Sequence, residues 1–141
     1  MSGKVQKKQT SKNKKKVVKK SKKSKLFSPK VIVHIKSTQN NSIVTATDLY
    51  GNVVAQSSCG RVGFKGTKKS TPYASTLAGE MLAKKVLEME GKECDVYIKG
   101  VGAGRQAVVK GLKLGGLRIV MLLDKTPVPH GGCKPRKIRK V

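Results

Sequence analysis

The chain has 141 residues, with 32 Lys or Arg against 7 Asp or Glu, for a formal net charge of +25. A charge of that size on one domain's length calls for a polyanionic partner, and a nucleic acid is the natural one. No apolar run approaches the roughly 20 residues that cross a bilayer, and the Lys/Ser/Gln/Asn-rich N-terminus shows no apolar helical face for a membrane surface.

The charge is unevenly placed. Residues 1–25 hold 12 Lys and no acid, and residues 134–140 hold five more cations. What remains, 15 cations against 7 acids over 108 residues, is a modestly basic domain of net +8. The start of the chain lacks the apolar stretch of a secretory leader, and with no Arg before Arg61 it does not read as a mitochondrial presequence. Cys59, Cys94 and Cys133 are odd in number and widely spaced, which argues against a disulfide framework and for a reducing compartment.

Taken in chain order, residues 1–29 are too poor in apolar side chains to offset their ordering entropy, so a disordered basic tail is expected. A globular RNA-binding domain is expected over 30–126. In 30–36, Val31, Val33 and Ile35 alternate with Ile32, His34 and Lys36, the period of a strand. Asn40 and Asn41 lie in turn chemistry over 39–42, a second strand covers 43–47, Gly51 and Asn52 make a turn, and a third strand covers 53–57. Short turns between them imply an antiparallel meander. Residues 60–66 carry three Gly and read as a loop, and Thr71 and Pro72 then supply an N-cap and a first helical position. Ala74, Leu77, Ala78, Met81, Leu82 and Met89 recur at helical spacing until Gly91. A fourth strand is expected over 95–99, a helix over 105–114 stopped by Gly115 and Gly116, and an apolar fifth strand over 117–123. Helical crossovers imply right-handed parallel pairing, so the fold class is α/β: one mixed five-stranded sheet in β-β-β-α-β-α-β order, ribonuclease H-like. Pro127, Pro129 and Pro135 end regular structure, leaving 127–141 as an extended basic tail.

Catalysis finds little support. Asp48 and Asp124 could both fall near strand ends, but two carboxylates are thin for a two-metal nuclease, and no nucleophile has a base in a recognisable context. His130 and Cys133 form a two-ligand clip where a structural zinc needs four ligands, so no metal and no cofactor is expected. Gly100, Gly102 and Gly104 precede Arg105 at a strand-to-helix junction. The spacing and strand order are wrong for a dinucleotide site, though small residues beside helix amides suit an RNA phosphate; a tight structural turn is the alternative. Arg61, Lys65, Lys68, Lys69 and Ser70 concentrate before a helix start, a pattern that suits a nucleic-acid backbone. Phe27, Tyr50, Phe64, Tyr73 and Tyr97 are too few for a base-stacking platform, so phosphate, 2′-hydroxyl and shape should dominate.

Val33, His34 and Ile35, the 40–48 segment, Gly63 to Gly66, Lys68 to Ala74, Lys99-Gly100 with Gly104-Arg105, and Thr126 to His130 with Gly132 to Pro135 closely resemble the bacterial-type small-subunit ribosomal protein eleven family. The resemblance runs from residue 31 to the end. It implies a non-enzymatic structural constituent of the small ribosomal subunit. Such a protein sits on the platform against small-subunit ribosomal RNA, beside neighbouring platform proteins and near messenger RNA on the exit side, and supports assembly and translation. Its compartment is bacterial cytoplasm or an organelle of bacterial descent, with no membrane and no small-molecule substrate. Carried onto this chain, the implied RNA contacts are Asn40, Asn41, Lys65, Lys68, Lys69, Ser70, Arg105, His130, Lys134, Arg136, Lys137, Arg139 and Lys140. Two positions depart from the family pattern. Val101 stands where the family usually has Pro, which implies a more mobile glycine turn. Gly131 stands where it usually has Asn, which removes an Asn-Gly site of isoaspartate formation.

Overall fold

The computed structural model describes residues 29–138; the expected N-terminal tail, apart from Pro29, lies outside them, as do Arg139 and Lys140. Alternation decides the first strand. In β1 (Lys30–Ser37), Val31, Val33, Ile35 and Ser37 point inward and are buried, while His34 and Lys36 are exposed. β2 (Ser42–Thr47) and β3 (Val53–Ser58) complete the meander, β1 and β2 pairing antiparallel with Val33 opposite Ala46, and β2 and β3 pairing antiparallel with Ala46 opposite Ala55.

The chain then crosses over twice. Helix α1 (Pro72–Leu87) leads to β4 (Glu93–Lys99), which lies parallel to β1. Helix α2 (Gly104–Leu114) leads to β5 (Arg118–Asp124), parallel to β4. The sheet order is β3-β2-β1-β4-β5. This is the mixed five-stranded order read from the sequence. Both helices pack on one face, where Leu82, Val86, Val108 and Leu112 meet Val31, Val33, Ile35, Val44 and Val96 in one apolar core.

Helix α1 starts as its residues dictate: the Thr71 hydroxyl accepts from the Ala74 amide at 3.3 Å, with Pro72 at the first position. Its end differs from expectation. The helix stops at Leu87, so Met89 lies beyond it, and the left-handed residue of the stop is Glu90 at φ 69° rather than Gly91. The Gly91 amide closes the turn on the Val86 carbonyl at 3.1 Å. Its inward face also differs, with Ser75, Gly79 and Ala83 buried while Leu77 and Met81 are only half-buried. The cause is the close crossing of α1 and α2. A Cβ on Gly111 would stand 2.2 Å from the Thr76 carbonyl oxygen, and one on Gly79 would stand 2.7 Å from that of Val108.

The fifth strand is exposed where an apolar run would ordinarily be covered. A parallel apolar strand is ordinarily covered on both faces. Here β5 is the sheet edge, paired only to β4, and Val120, Met121, Leu122 and Leu123 are all exposed. The remaining boundary differences are of one or two residues: Ser37, Ser42, Ser58, Glu93, Cys94 and Asp124 join strands, Leu117 leaves β5, and Gly104 joins α2. The expected loop of 60–66 is followed by a 3-10 turn, Gly66–Ser70.

Candidate nucleic-acid interface

The topology gathers the polar segments at one end of the sheet. β1, β3, β4 and β5 all run the same way, so their C-terminal ends share an edge. From that edge come the 38–41 turn after β1, the basic loop after β3, the glycine turn after β4 and the C-terminal strap after β5. Both helices also begin there.

Close packing welds two of these segments together. A Cβ on Gly100 would lie 2.1 Å from the Ser37 carbonyl oxygen, one on Gly102 2.5 Å from that of Thr38, and one on Gly104 2.0 Å from the Ser42 hydroxyl. The glycines therefore let the turn before α2 lie against the turn that carries Asn40 and Asn41. That second turn is fixed locally: the Thr38 hydroxyl donates to the Asn41 carbonyl at 3.0 Å and accepts from the Asn41 amide, and Asn41 Oδ1 accepts from the Ser42 amide. Beneath lies a buried hydroxyl cluster that sequence reading missed. The Ser75 hydroxyl donates to Ser42 at 3.0 Å, with Ser37 and the Cys59 thiol at its margins. It ties β1, β2, the loop after β3 and the start of α1 to one another. Isolated serines in strands and helices carry no pattern that would reveal it.

Arg105 does not stand alone in solvent. Its guanidinium Nη2 donates to Asp124 Oδ2 across 19 residues of sequence. The other Asp124 oxygen accepts from the Thr126 hydroxyl at 2.6 Å and the Thr126 amide at 3.0 Å, and Thr126 Oγ1 accepts from the Gly100 amide at 3.1 Å. These bonds, the Thr126 pair foremost and Arg105 after it, hold the Asp124 carboxyl below the usual carboxylate range. The result is a latch that fixes where the strap leaves the domain. An open groove of about 660 Å³ lies beside it, lined by Gly102, Ala103, Arg105, Gln106, Leu122 and Asp124. Helix α2 has no side-chain N-cap, its Arg105 amide turning back on the Gly102 carbonyl at 3.3 Å, and Arg105 keeps further N–H donors in its fork.

The basic loop is anchored from below. Val62 and Phe64 pack against Cys59, Ala74 and Ala78, and the Phe64 ring meets Tyr73 edge-on with centroids 6.1 Å apart. Arg61, Lys65 and Lys68 are exposed, Lys69 and Ser70 half-buried, and no ion pair engages these cations among the described residues. Along the strap, His130, Lys134, Arg136 and Lys137 are exposed.

Charge is polarised along the strands. Asp48, Glu88, Glu90, Glu93 and Asp95 lie at the opposite end, where β2 finishes, α1 finishes and β4 begins. Glu80 lies midway along α1, and Asp124 is the one acid at the basic end among the described residues. Asp48 and Asp124, the pair considered for metal-dependent hydrolysis, are thus at opposite ends of the sheet. Among the described residues no three His, Cys, Asp or Glu converge as metal ligands.

A one-sided α/β domain with basic loops and cations gathered at one strand-end edge has the layout of a nucleic-acid-binding protein. The model of the family described as Ribosomal protein S11 matches residues 31–140. The chain belongs to that family: it is a small-subunit ribosomal protein that binds ribosomal RNA, a structural component of the ribosome.

Proposed function

We propose that the strand-end edge docks on ribosomal RNA of the small-subunit platform and that the chain supports subunit assembly there, without catalysis. The observation that carries this is the convergence of the 38–41 turn, the basic loop, the glycine turn and the strap on one end, where Asp124 is the one acid among the described residues. Asn40, Asn41, Arg61, Lys65, Lys68, Lys69, Ser70 and Arg105 contact RNA from the domain. His130, Lys134, Arg136, Lys137, Arg139 and Lys140 contact it from the strap. Residues 30–126 form the recognition domain, with 1–29 and 127–141 as basic arms. The exposed apolar edge of β5 supports contact with neighbouring platform proteins, with messenger RNA passing nearby on the exit side. The ribosome is that of a bacterium or an organelle of bacterial descent.

The test is a charge-matched pair of variants binding small-subunit ribosomal RNA. Lys65→Gln/Lys68→Gln/Lys69→Gln removes three cations at the proposed edge, and Lys84→Gln/Lys85→Gln/Lys113→Gln removes three at the far end. The first is expected to weaken binding by at least tenfold more than the second, on the scale of about 1.5–3 kcal/mol for a bond to a charged group. Equal losses would contradict the proposed orientation.

A further inference from the structure

We propose that the uncovered face of the sheet is a second RNA-contact surface, on which Lys36, Lys99 and Lys125 take up phosphates of an RNA segment distinct from the one held at the strand-end edge. This rests on the reading that the chain binds ribosomal RNA.

The register sets Lys36 of β1 directly beside Lys99 of β4, on strands roughly 4.8 Å apart. Both are exposed, on the face opposite the helices. Like charges placed opposite each other destabilise a sheet, and among the described residues no acid is paired with either lysine or with Lys125. Glu93 and Asp95 lie at the other end of β4, and Asp124 is committed to Arg105 and Thr126. Residues 1–28 contain no acid, so the rest of the chain supplies no side-chain counter-charge. Burial first, then Lys99 and Lys125, push the His34 imidazole below its ordinary pKa. The Lys125 ammonium lies over the Tyr97 ring, 3.7 Å from its centroid.

The missing counter-charge identifies the ligand class. Tyr97 already carries Lys125 on its ring and His34 edge-on at 5.5 Å, so this face offers no free ring for base stacking. Its chemistry is that of cations for phosphate oxygens. A second copy of this chain brings the same positive charge and is repelled.

Lys36→Gln/Lys99→Gln in the full chain tests the proposal. It is footprinted by hydroxyl radicals on small-subunit ribosomal RNA, in parallel with the parent and with Lys65→Gln/Lys68→Gln/Lys69→Gln. The double variant should lose protection of a discrete RNA segment that the loop variant keeps. Its slope of log affinity against log salt should fall by about 0.7–0.9 for each phosphate it no longer neutralises. Its thermal midpoint should hold or rise, because a repulsion has been removed. A footprint identical to the parent's overturns this proposal alone, as does a fall in the midpoint, which would make the lysines packing residues. A crosslink from Lys99 in intact subunits to protein instead of RNA does the same. A parent that leaves no footprint overturns the RNA-binding reading as well.

Discussion

Asp124 shows how one carboxylate organises an otherwise cationic end. It accepts from Arg105 and from Thr126, and through Thr126 it reaches the Gly100 amide. Because its folded pKa is depressed, its contribution to stability is present above the ordinary carboxylate value near 3.8 and is lost as pH falls through the lower folded value. The thermal midpoint of the parent should therefore drop more steeply below about pH 4 than that of Asp124→Asn. Parallel curves for the two proteins would show that the latch is not formed in solution. The cysteines make a second residue-scale case. Cys59 and Cys94 are fully buried and Cys133 is exposed on the strap. Burial pushes the Cys94 thiol up to about 11. Titration of the native protein with a thiol reagent should give one fast thiol and two slow ones, and three fast thiols would refute the packing of the sheet on α1. Gly131 belongs here too. It has φ 62° with open space around it, a conformation that Asn also tolerates.

At the scale of elements, legibility in the sequence depends on whether a pattern is local. The alternation in 30–36 and the Thr71-Pro72 start are properties of adjacent residues, and both appear in the structure as read. The coverage of β5 depends instead on its position last in the sheet order, and its apolar run says nothing of that. The inward face of α1 departs from expectation for a related reason. Large apolar residues at helical spacing suggest the core face, yet the crossing with α2 selects Gly79, Ala83 and Gly111 for close backbone approach. Gly111→Ala is the direct probe. Helix propensity alone would favour Ala by up to about 1 kcal/mol. The methyl would instead collide with the Thr76 carbonyl, and overpacking of this kind costs roughly 1–3 kcal/mol. Urea unfolding should show net destabilisation, and a gain in stability would mean the helices are farther apart than described. The parts of the candidate interface differ in the same way. Clustered cations in 61–69 announce themselves, whereas the Arg105–Asp124 latch joins a helix start to a strand end and has no sequence signal beyond two opposite charges.

At the scale of the whole molecule, the proposed docking divides binding between the strand-end edge and the charge of the N-terminal arm. Residues 1–25 carry 12 Lys, with Gly3 as their one glycine and only Val5, Val17 and Val18 as branched apolar residues, so their contribution should be chiefly counterion release. Deleting them should flatten the salt dependence of binding while leaving preference for small-subunit RNA over unrelated RNA largely intact. Deleting 130–141 should reduce the preference itself, since Pro127 and Pro129 stiffen a strap that Asp124 and Thr126 already aim. The reverse pattern would exchange the roles of the two arms. The orientation of the domain is the claim on which these roles depend, and a map of ultraviolet crosslinks between this chain and ribosomal RNA in purified small subunits tests it most directly. Crosslinked peptides should fall in 36–41, 60–70, 99–106 and 125–138. Crosslinks concentrated instead in 48–53, 88–93 and around Arg118, at the acid-rich end, would contradict it.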